Sequence, residues 1–332
     1  MGTSHRQAPV RRLVAEVQEG LRALYDLPDG HEVVLGNGGS TLFWDVASFC
    51  LVEGQASAGV FGEFGGKFAA ALGRTPWLQP PVVTEVAPGS STLPVASAGA
   101  DAYVWPHNET STGACAPVGP VPGADAGALV LVDATSAAGG MAADLSGVDC
   151  YYFAPQKAFA SDGGLWVALL SRAAIDRAFR LRSSRWVPES LDLGLAIENG
   201  RANQTLNTPA VATLFLLNEQ LRWLAERGGL AFAAERTAAS ASLVYGWAER
   251  TPWATPFVAE PAHRSPVVAT VDFEGVDAAA VAATLRANGV VDVEPYRRLG
   301  RNQLRMGLFP AVDPADVEAL LACIDWVVEH TG

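Results

Sequence analysis

The sequence predicts an α/β fold: a mainly parallel sheet flanked by helices, followed by a smaller C-terminal α+β domain. Two observations carry this. Short runs at residues 102–105, 129–132 and 165–170 are wholly apolar and rich in β-branched or aromatic side chains, the pattern of strands buried on both faces. Segments with helical apolar spacing alternate with such runs until a Pro-rich stretch just past Thr251 opens a rhythm of shorter elements. The expected division is a large domain over 1–250 and a small one over 251–332.

Taken in order, residues 9–27 place Val10, Leu13, Val14, Val17, Leu21 and Leu24 on one helical face. A strand at 32–35 runs through a glycine turn into an apolar helix. A strand at 57–61, a helix at 62–72 and a strand at 82–86 follow, the last inside a Pro-, Gly- and Ser-rich stretch. After the strands at 102–105 and 129–132, an aromatic run begins at Tyr151, and a further strand at 165–170 leads to a helix at 172–182. Long helices are expected at 207–227 and 230–250, the first opening on Thr208-Pro209. The small domain reads as a strand at 267–273, a helix at 277–288, strands near Val290 and Leu304, and a closing helix at 314–330.

Of 332 residues, 49% are hydrophobic and 17% charged, which suffices for a sizeable core. The net charge of −12 disfavours nucleic acid and acidic membrane surfaces as general partners. No apolar run has the length of a membrane span, and the start has no apolar leader pattern, so a cytoplasmic protein is expected. Cys50, Cys115, Cys150 and Cys323 are widely separated; free thiols and no metal site are expected.

Four stretches can carry chemistry. In GNGGS, glycines between a strand and a helix let Gly39, Ser40 and Thr41 offer backbone N–H and hydroxyl groups to an anion at a helix N-terminus. A plain tight turn would read the same way. In HNETSTG, which directly follows a strand, Asn108 or Thr110 could bond a ligand or merely cap the turn. Asp133 ends a wholly apolar strand, where a carboxylate must be paired, solvated or capping a helix. Lys157, with Gln156 before it, lies just past the aromatic strand in YYFAPQKAFASDGG, at the sheet edge where ligands of parallel sheets bind. A desolvated amine there can attack a carbonyl; alone, it reads equally as a loop lysine. An acid for a ring nitrogen, an amine for an aldehyde and a glycine turn for a phosphate together match the requirements of pyridoxal phosphate.

TSHRQ, NGGST, GEF, HNETSTG, VDATS, YYFAPQKAFASDGG, NQTLNTP and EPYRRLGRNQLR together resemble the phosphoserine aminotransferases, and most the actinobacterial type, from residue 3 to the C-terminus. These are class V aminotransferases of the fold-type I pyridoxal-phosphate group. The resemblance implies that Lys157 forms the Schiff base with the cofactor and shuttles the proton. It implies further that Asp133 pairs with the pyridine nitrogen, Thr110 bonds the ring hydroxyl, and Phe64 stacks on the ring where many relatives have tryptophan. Gly39, Ser40 and Gln156 would hold the phosphate, with Thr41 also at the cofactor, joined by Asn207 and Thr208 from the other subunit of a homodimer. Arg305 would clamp the substrate α-carboxylate, and His5 and Arg6 would bind the substrate phosphate across the interface.

The implied reaction is ping-pong transamination between glutamate and 3-phosphohydroxypyruvate in serine biosynthesis, with phosphohydroxythreonine of vitamin B6 synthesis open as a further substrate. The alternatives are an alanine–glyoxylate or serine–pyruvate type aminotransferase, or a truncated and impaired pyridoxal-phosphate-binding protein. Two departures stand out. Ser40 replaces an arginine of the family's glycine loop, leaving Arg298 and Arg301 as candidates for its contact. The family pattern also includes a further N-terminal rim segment before the position of Met1.

Overall fold

The computed structural model describes residues 4–331, so Thr3 of the TSHRQ motif lies outside the described residues. Seven strands form the main sheet: β1 (Glu32–Asn37), β2 (Ala56–Val60), β3 (Val82–Glu85), β4 (Ala102–Pro106), β7 (Leu129–Asp133), β8 (Cys150–Phe153) and β9 (Leu165–Leu170). Their spatial order is β1-β9-β8-β7-β4-β2-β3, and β9 alone runs against the rest. A two-residue pair, β5 (Asn108–Glu109) and β6 (Ala114–Cys115), closes the loop that follows β4.

Successive side chains of a strand point to opposite faces, and the two cores divide accordingly. Val33, Leu35, Tyr103, Trp105, Val130, Val132, Tyr151 and Phe153 pack on one face with α1 (Ala8–Leu24) and α6 (Val211–Ala225). Val34, Val104, Leu129, Leu131, Tyr152 and Trp166 pack on the other, against α2 (Ser40–Cys50), α3 (Glu63–Arg74), α4 (Arg172–Ser184) and α5 (Leu193–Arg201). Each fully buried large apolar side chain contributes about 1.5–3 kcal/mol relative to exposure, so the central strands, covered on both faces, are the most firmly held.

A three-stranded antiparallel sheet of β10 (Ala254–Pro256), β11 (Val268–Phe273) and β12 (Gln303–Gly307) forms a separate core with α8 (Ala278–Ala287) and α9 (Pro314–Thr331). The C-terminal half of α7 (Gly229–Arg250) also packs into it through Val244, Tyr245, Trp247 and Ala248.

Two expectations need correction, and one helix was not expected. Residues 207–210 are not helical; α6 begins at Val211, and Asn207-Thr208-Pro209 is an exposed-to-buried connection ahead of it. No strand forms at Val290, because Gly289 and Asp292 adopt left-handed φ values of 89° and 63° and turn the chain. Helix α5 was not anticipated; LGLAIENGR is short and carries internal glycines, but Asp192 caps it by accepting from the Leu195 amide at 3.0 Å.

Candidate active site

The carboxyl ends of β7 and β8 are neighbours in parallel register, with Asp133 opposite Tyr152. This brings Asp133 and the turn carrying Lys157 to one edge of the sheet. There they line a cavity of about 260 Å³ with Gly39, Ser40, Thr41, Trp44, Phe64, Asn108, Thr110, Thr135 and Gln156.

Asp133 is only 7% exposed, and each of its oxygens accepts two hydrogen bonds. Trp44 donates from Nε1 to Oδ2 at 3.1 Å and the Tyr152 hydroxyl donates to the same atom at 3.2 Å. The Thr135 amide and hydroxyl donate to Oδ1. Burial pushes the Asp133 pKa up, and these four donors pull against it. All four are neutral groups, so a cation arriving in the cavity would complete the site electrostatically.

Lys157 is half-buried. Burial, and then the positive charge of Arg305, hold its pKa below the ordinary lysine value. Arg305 enters from β12, donates to the Thr110 carbonyl at 3.1 Å and lies over the Tyr296 ring at 5.6 Å from its centroid. Neither cation makes an ion pair with a carboxylate among the described residues. Two partly desolvated cations close enough to repel each other ease loss of the Lys157 proton and favour an anion beside Arg305.

The turn before α2 is open. Gly38 has φ of 124°, which favours glycine, while Gly39 is extended and a Cβ added to it would meet nothing within 4 Å. No side chain among the described residues caps this helix, so its first two amides, of Ser40 and Thr41, can meet an anion, with the helix dipole in favour. Thr110 donates to Ser136 Oγ at 2.7 Å, and Ser136 also accepts from Asn108 Nδ2 at 2.7 Å. Asn108 Oδ1 is buried without a partner among the described residues. Such an orphaned acceptor, an open anion-ready helix terminus and an unpaired lysine are what a phosphorylated aldehyde with a basic, hydroxylated ring would occupy.

Phe64 reaches the cavity from the first turn of α3. Its amide and that of Gly65 donate at 3.0 Å each to Oε2 of Glu109, a fully buried carboxylate. Burial raises the Glu109 pKa, opposed by bonds from Ser111, Gly65 and Phe64.

The remaining expected residues lie apart from this cavity within the chain. His5 Nδ1 is 3.0 Å from Thr208 Oγ1, and Asn37 donates to the Thr208 carbonyl at 2.7 Å. Asn207 lines a different recess with Gly36, Asn37 and Leu206, and Arg6 is exposed. Arg301 forms a forked ion pair with Asp272, whereas Arg298 pairs with Glu63 at 2.7 Å near Tyr296. Trp44, Tyr152, Thr135, Ser136 and Glu109 were not anticipated as site residues; Trp44 one helical turn past Ser40 was the available signal.

The aminotransferase class-V family model matches residues 99–294. A phosphoserine aminotransferase of Nocardioides sp. is 59% identical over 99% of this chain and 89% of its own length. Among solved structures, a phosphoserine aminotransferase from Cytophaga hutchinsonii superposes with a TM-score of 0.90 at 23% identity, covering 100% of this chain and 91% of its own. A pyridoxal-phosphate-bound phosphoserine aminotransferase from Trichomonas vaginalis gives 0.82 at 20% identity, covering 98% and 90%. The chain is therefore a class V aminotransferase, and within that class it belongs to the phosphoserine aminotransferases. Membership of this class implies pyridoxal phosphate as cofactor. Among the described residues no helix is long and apolar enough to cross a membrane.

Proposed function

We propose that this chain transfers the amino group of glutamate to 3-phosphohydroxypyruvate, with Lys157 as the residue that joins the cofactor covalently. The observation that carries the reading is the half-buried Lys157 lining, with Asp133, the cavity at the sheet edge, its pKa lowered by burial and by the charge of Arg305. Pyridoxal phosphate, when bound, supplies an aldehyde and an electron-accepting ring. Asp133 would keep the ring nitrogen protonated, its carboxylate oriented for this by Trp44, Tyr152 and Thr135. Gly39, Ser40, Thr41 and Gln156 would receive the phosphate, Thr110 the ring hydroxyl, and Phe64 the ring face.

The Lys157 amine, when free, would be the base that moves the substrate proton, and its depressed pKa suits that task. Arg305 takes the α-carboxylate that donor and acceptor share. In this reading the exposed pair Asn207 and Thr208, with His5 and Arg6, serves the site of a second subunit of a cytoplasmic homodimer. The functional division of the chain falls near residue 250.

The test is direct. The purified chain with pyridoxal phosphate should absorb in the visible, and borohydride should fix the cofactor on Lys157 in a peptide map. Lys157→Ala should abolish the glutamate half-reaction without lowering the melting temperature, since a desolvated, unpaired cation contributes no stability. A phosphorylated acceptor should be preferred over its unphosphorylated counterpart; equal use of both would remove the substrate assignment and leave the aminotransferase.

A further inference from the structure

We infer that Glu109 is a positioning residue for the cofactor site: its carboxylate fixes the backbone from which Phe64 presents its ring to the Lys157 cavity. The inference rests on the cofactor reading above and deepens it.

Glu109 is fully buried and has no cationic partner among the described residues, yet it accepts four hydrogen bonds. Phe64 and Gly65 amides donate to Oε2 at 3.0 Å each, and the Ser111 hydroxyl and amide donate to Oε1 at 2.6 and 3.2 Å. The Glu63 amide donates to Ser111 Oγ at 3.1 Å. The first three amides of α3 are thus capped from a remote loop, since the local N-cap residue is Gly62 and offers no side chain. A negative charge at this terminus is favoured by the helix dipole as well as by the bonds themselves. The approach is close: a Cβ on Gly62 would fall 2.3 Å from Glu109 Cγ and 2.8 Å from Ser111 Oγ.

Helices need caps, but this one has a particular consequence. Phe64 is the second residue of α3, so the direction of its ring follows the capped turn. Its other ring neighbours, Tyr296 at 5.9 Å and Lys67 Nζ at 5.4 Å, come from the small sheet's side and from the next helical turn. The loop that supplies Glu109 also supplies Thr110, which bonds Ser136 through its hydroxyl and Arg305 through its carbonyl. Glu109 therefore sets the ring-facing phenyl group in register with the cavity wall opposite it.

The test uses two substitutions of similar bulk. Glu109→Leu removes every acceptor. Glu109→Gln keeps an oxygen for the Phe64 and Gly65 amides, while its NH2 can donate to Ser111 Oγ and gives up only the longer bond from the Ser111 amide. Pyridoxal phosphate affinity is read by quenching of tryptophan fluorescence, and ring placement by the visible circular dichroism of the bound cofactor.

Loss of two charge-assisted bonds at the capped turn should raise the Kd of Glu109→Leu by about tenfold or more and diminish the dichroic band. Glu109→Gln should stay within about threefold of the parent, and in a Phe64→Ala background Glu109→Leu should add less than about threefold. Unchanged affinity and dichroism in Glu109→Leu, or an undiminished effect in the Phe64→Ala background, overturns the inference. If Glu109→Leu does not fold, Ser111→Ala takes its place, with a weakening that should likewise vanish without Phe64; a weakening that persists overturns the inference. A parent chain that binds no pyridoxal phosphate would instead overturn the cofactor reading, an outcome distinct from these.

Discussion

Replacing Trp44 by phenylalanine takes away one of the four donors on the Asp133 carboxylate and leaves most of the ring volume in place. The indole donates to Oδ2 at 3.1 Å, and Tyr152, at 3.2 Å, is left as the only donor to that oxygen among the described residues. A hydrogen bond to a charged buried group is worth about 1.5–3 kcal/mol. The smaller ring also gives up part of its stacking on Phe68, whose ring centroid lies 6.1 Å away. The cofactor-free chain should therefore lose about 2–3 kcal/mol at pH 8.

The pH dependence has a definite sign. Burial raises the Asp133 pKa, and the donors lower it, so removing one donor raises it further. Above that pKa the carboxylate is ionised and the missing donor is felt in full. As pH falls through it, the group binds a proton and the difference between variant and parent shrinks. Urea unfolding followed by far-ultraviolet circular dichroism, from pH 8 towards the acid end of the folded range, measures both effects. A difference below about 0.5 kcal/mol at pH 8, or one of constant size across the range, would refute the role given to Trp44.

The two glycines of the turn before α2 should separate cleanly. Gly38→Ala meets both a left-handed φ and Leu42 Cδ2 at 2.6 Å, and should cost about 1–3 kcal/mol in unfolding experiments. Gly39→Ala should leave stability within about 0.5 kcal/mol, because none of the described residues lies within 4 Å of its Cβ. It should weaken pyridoxal phosphate binding about tenfold or more by titration, since the methyl group would stand where the anion approaches the first amides of α2. Arg305→Lys should raise KM for both glutamate and the phosphorylated keto acid by about tenfold or more, because a point charge replaces a planar fork. A rise for one substrate alone would remove the carboxylate assignment.

Much of the site was legible because strand ends are legible. Asp133 and Lys157 each follow an apolar or aromatic run, and adjacent parallel pairing of β7 and β8 delivers both to one edge. Trp44 and Tyr152 could not be read in this way. Each sits in a run of apolar residues that reads as core, and their convergence on Asp133 depends on the rotation of α2 against the sheet. Glu109 was hidden for the opposite reason: a charged residue in a polar loop reads as solvated, yet the close approach of Gly62 encloses it. The smaller sheet was anticipated at β11 and β12, but two left-handed residues, Gly289 and Asp292, ended the strand expected near Val290. Asn207 and Thr208 were placed in a helix because Thr-Pro commonly opens one; the helix starts at Val211, leaving both exposed.

The reversed strand β9 has a consequence for how the protein can vary. It follows the Lys157 loop and pairs with β1, so that Leu165 sits opposite Asn37 and Trp166 opposite Gly36. A further bond joins the Gly38 amide to the Gly164 carbonyl at 3.0 Å. Gly36 itself has no room for a side chain, since a Cβ there would lie 2.1 Å from the Trp166 ring. The lysine loop and the glycine turn are therefore two ends of one measured length of chain. An inserted or deleted residue between Lys157 and Gly164 would have to slip β9 by one position, turning its buried side chains to the wrong face, or pull the lysine away from the turn. Length variation among homologous chains should accumulate in the surface stretch at 117–128 and stop abruptly at Lys157.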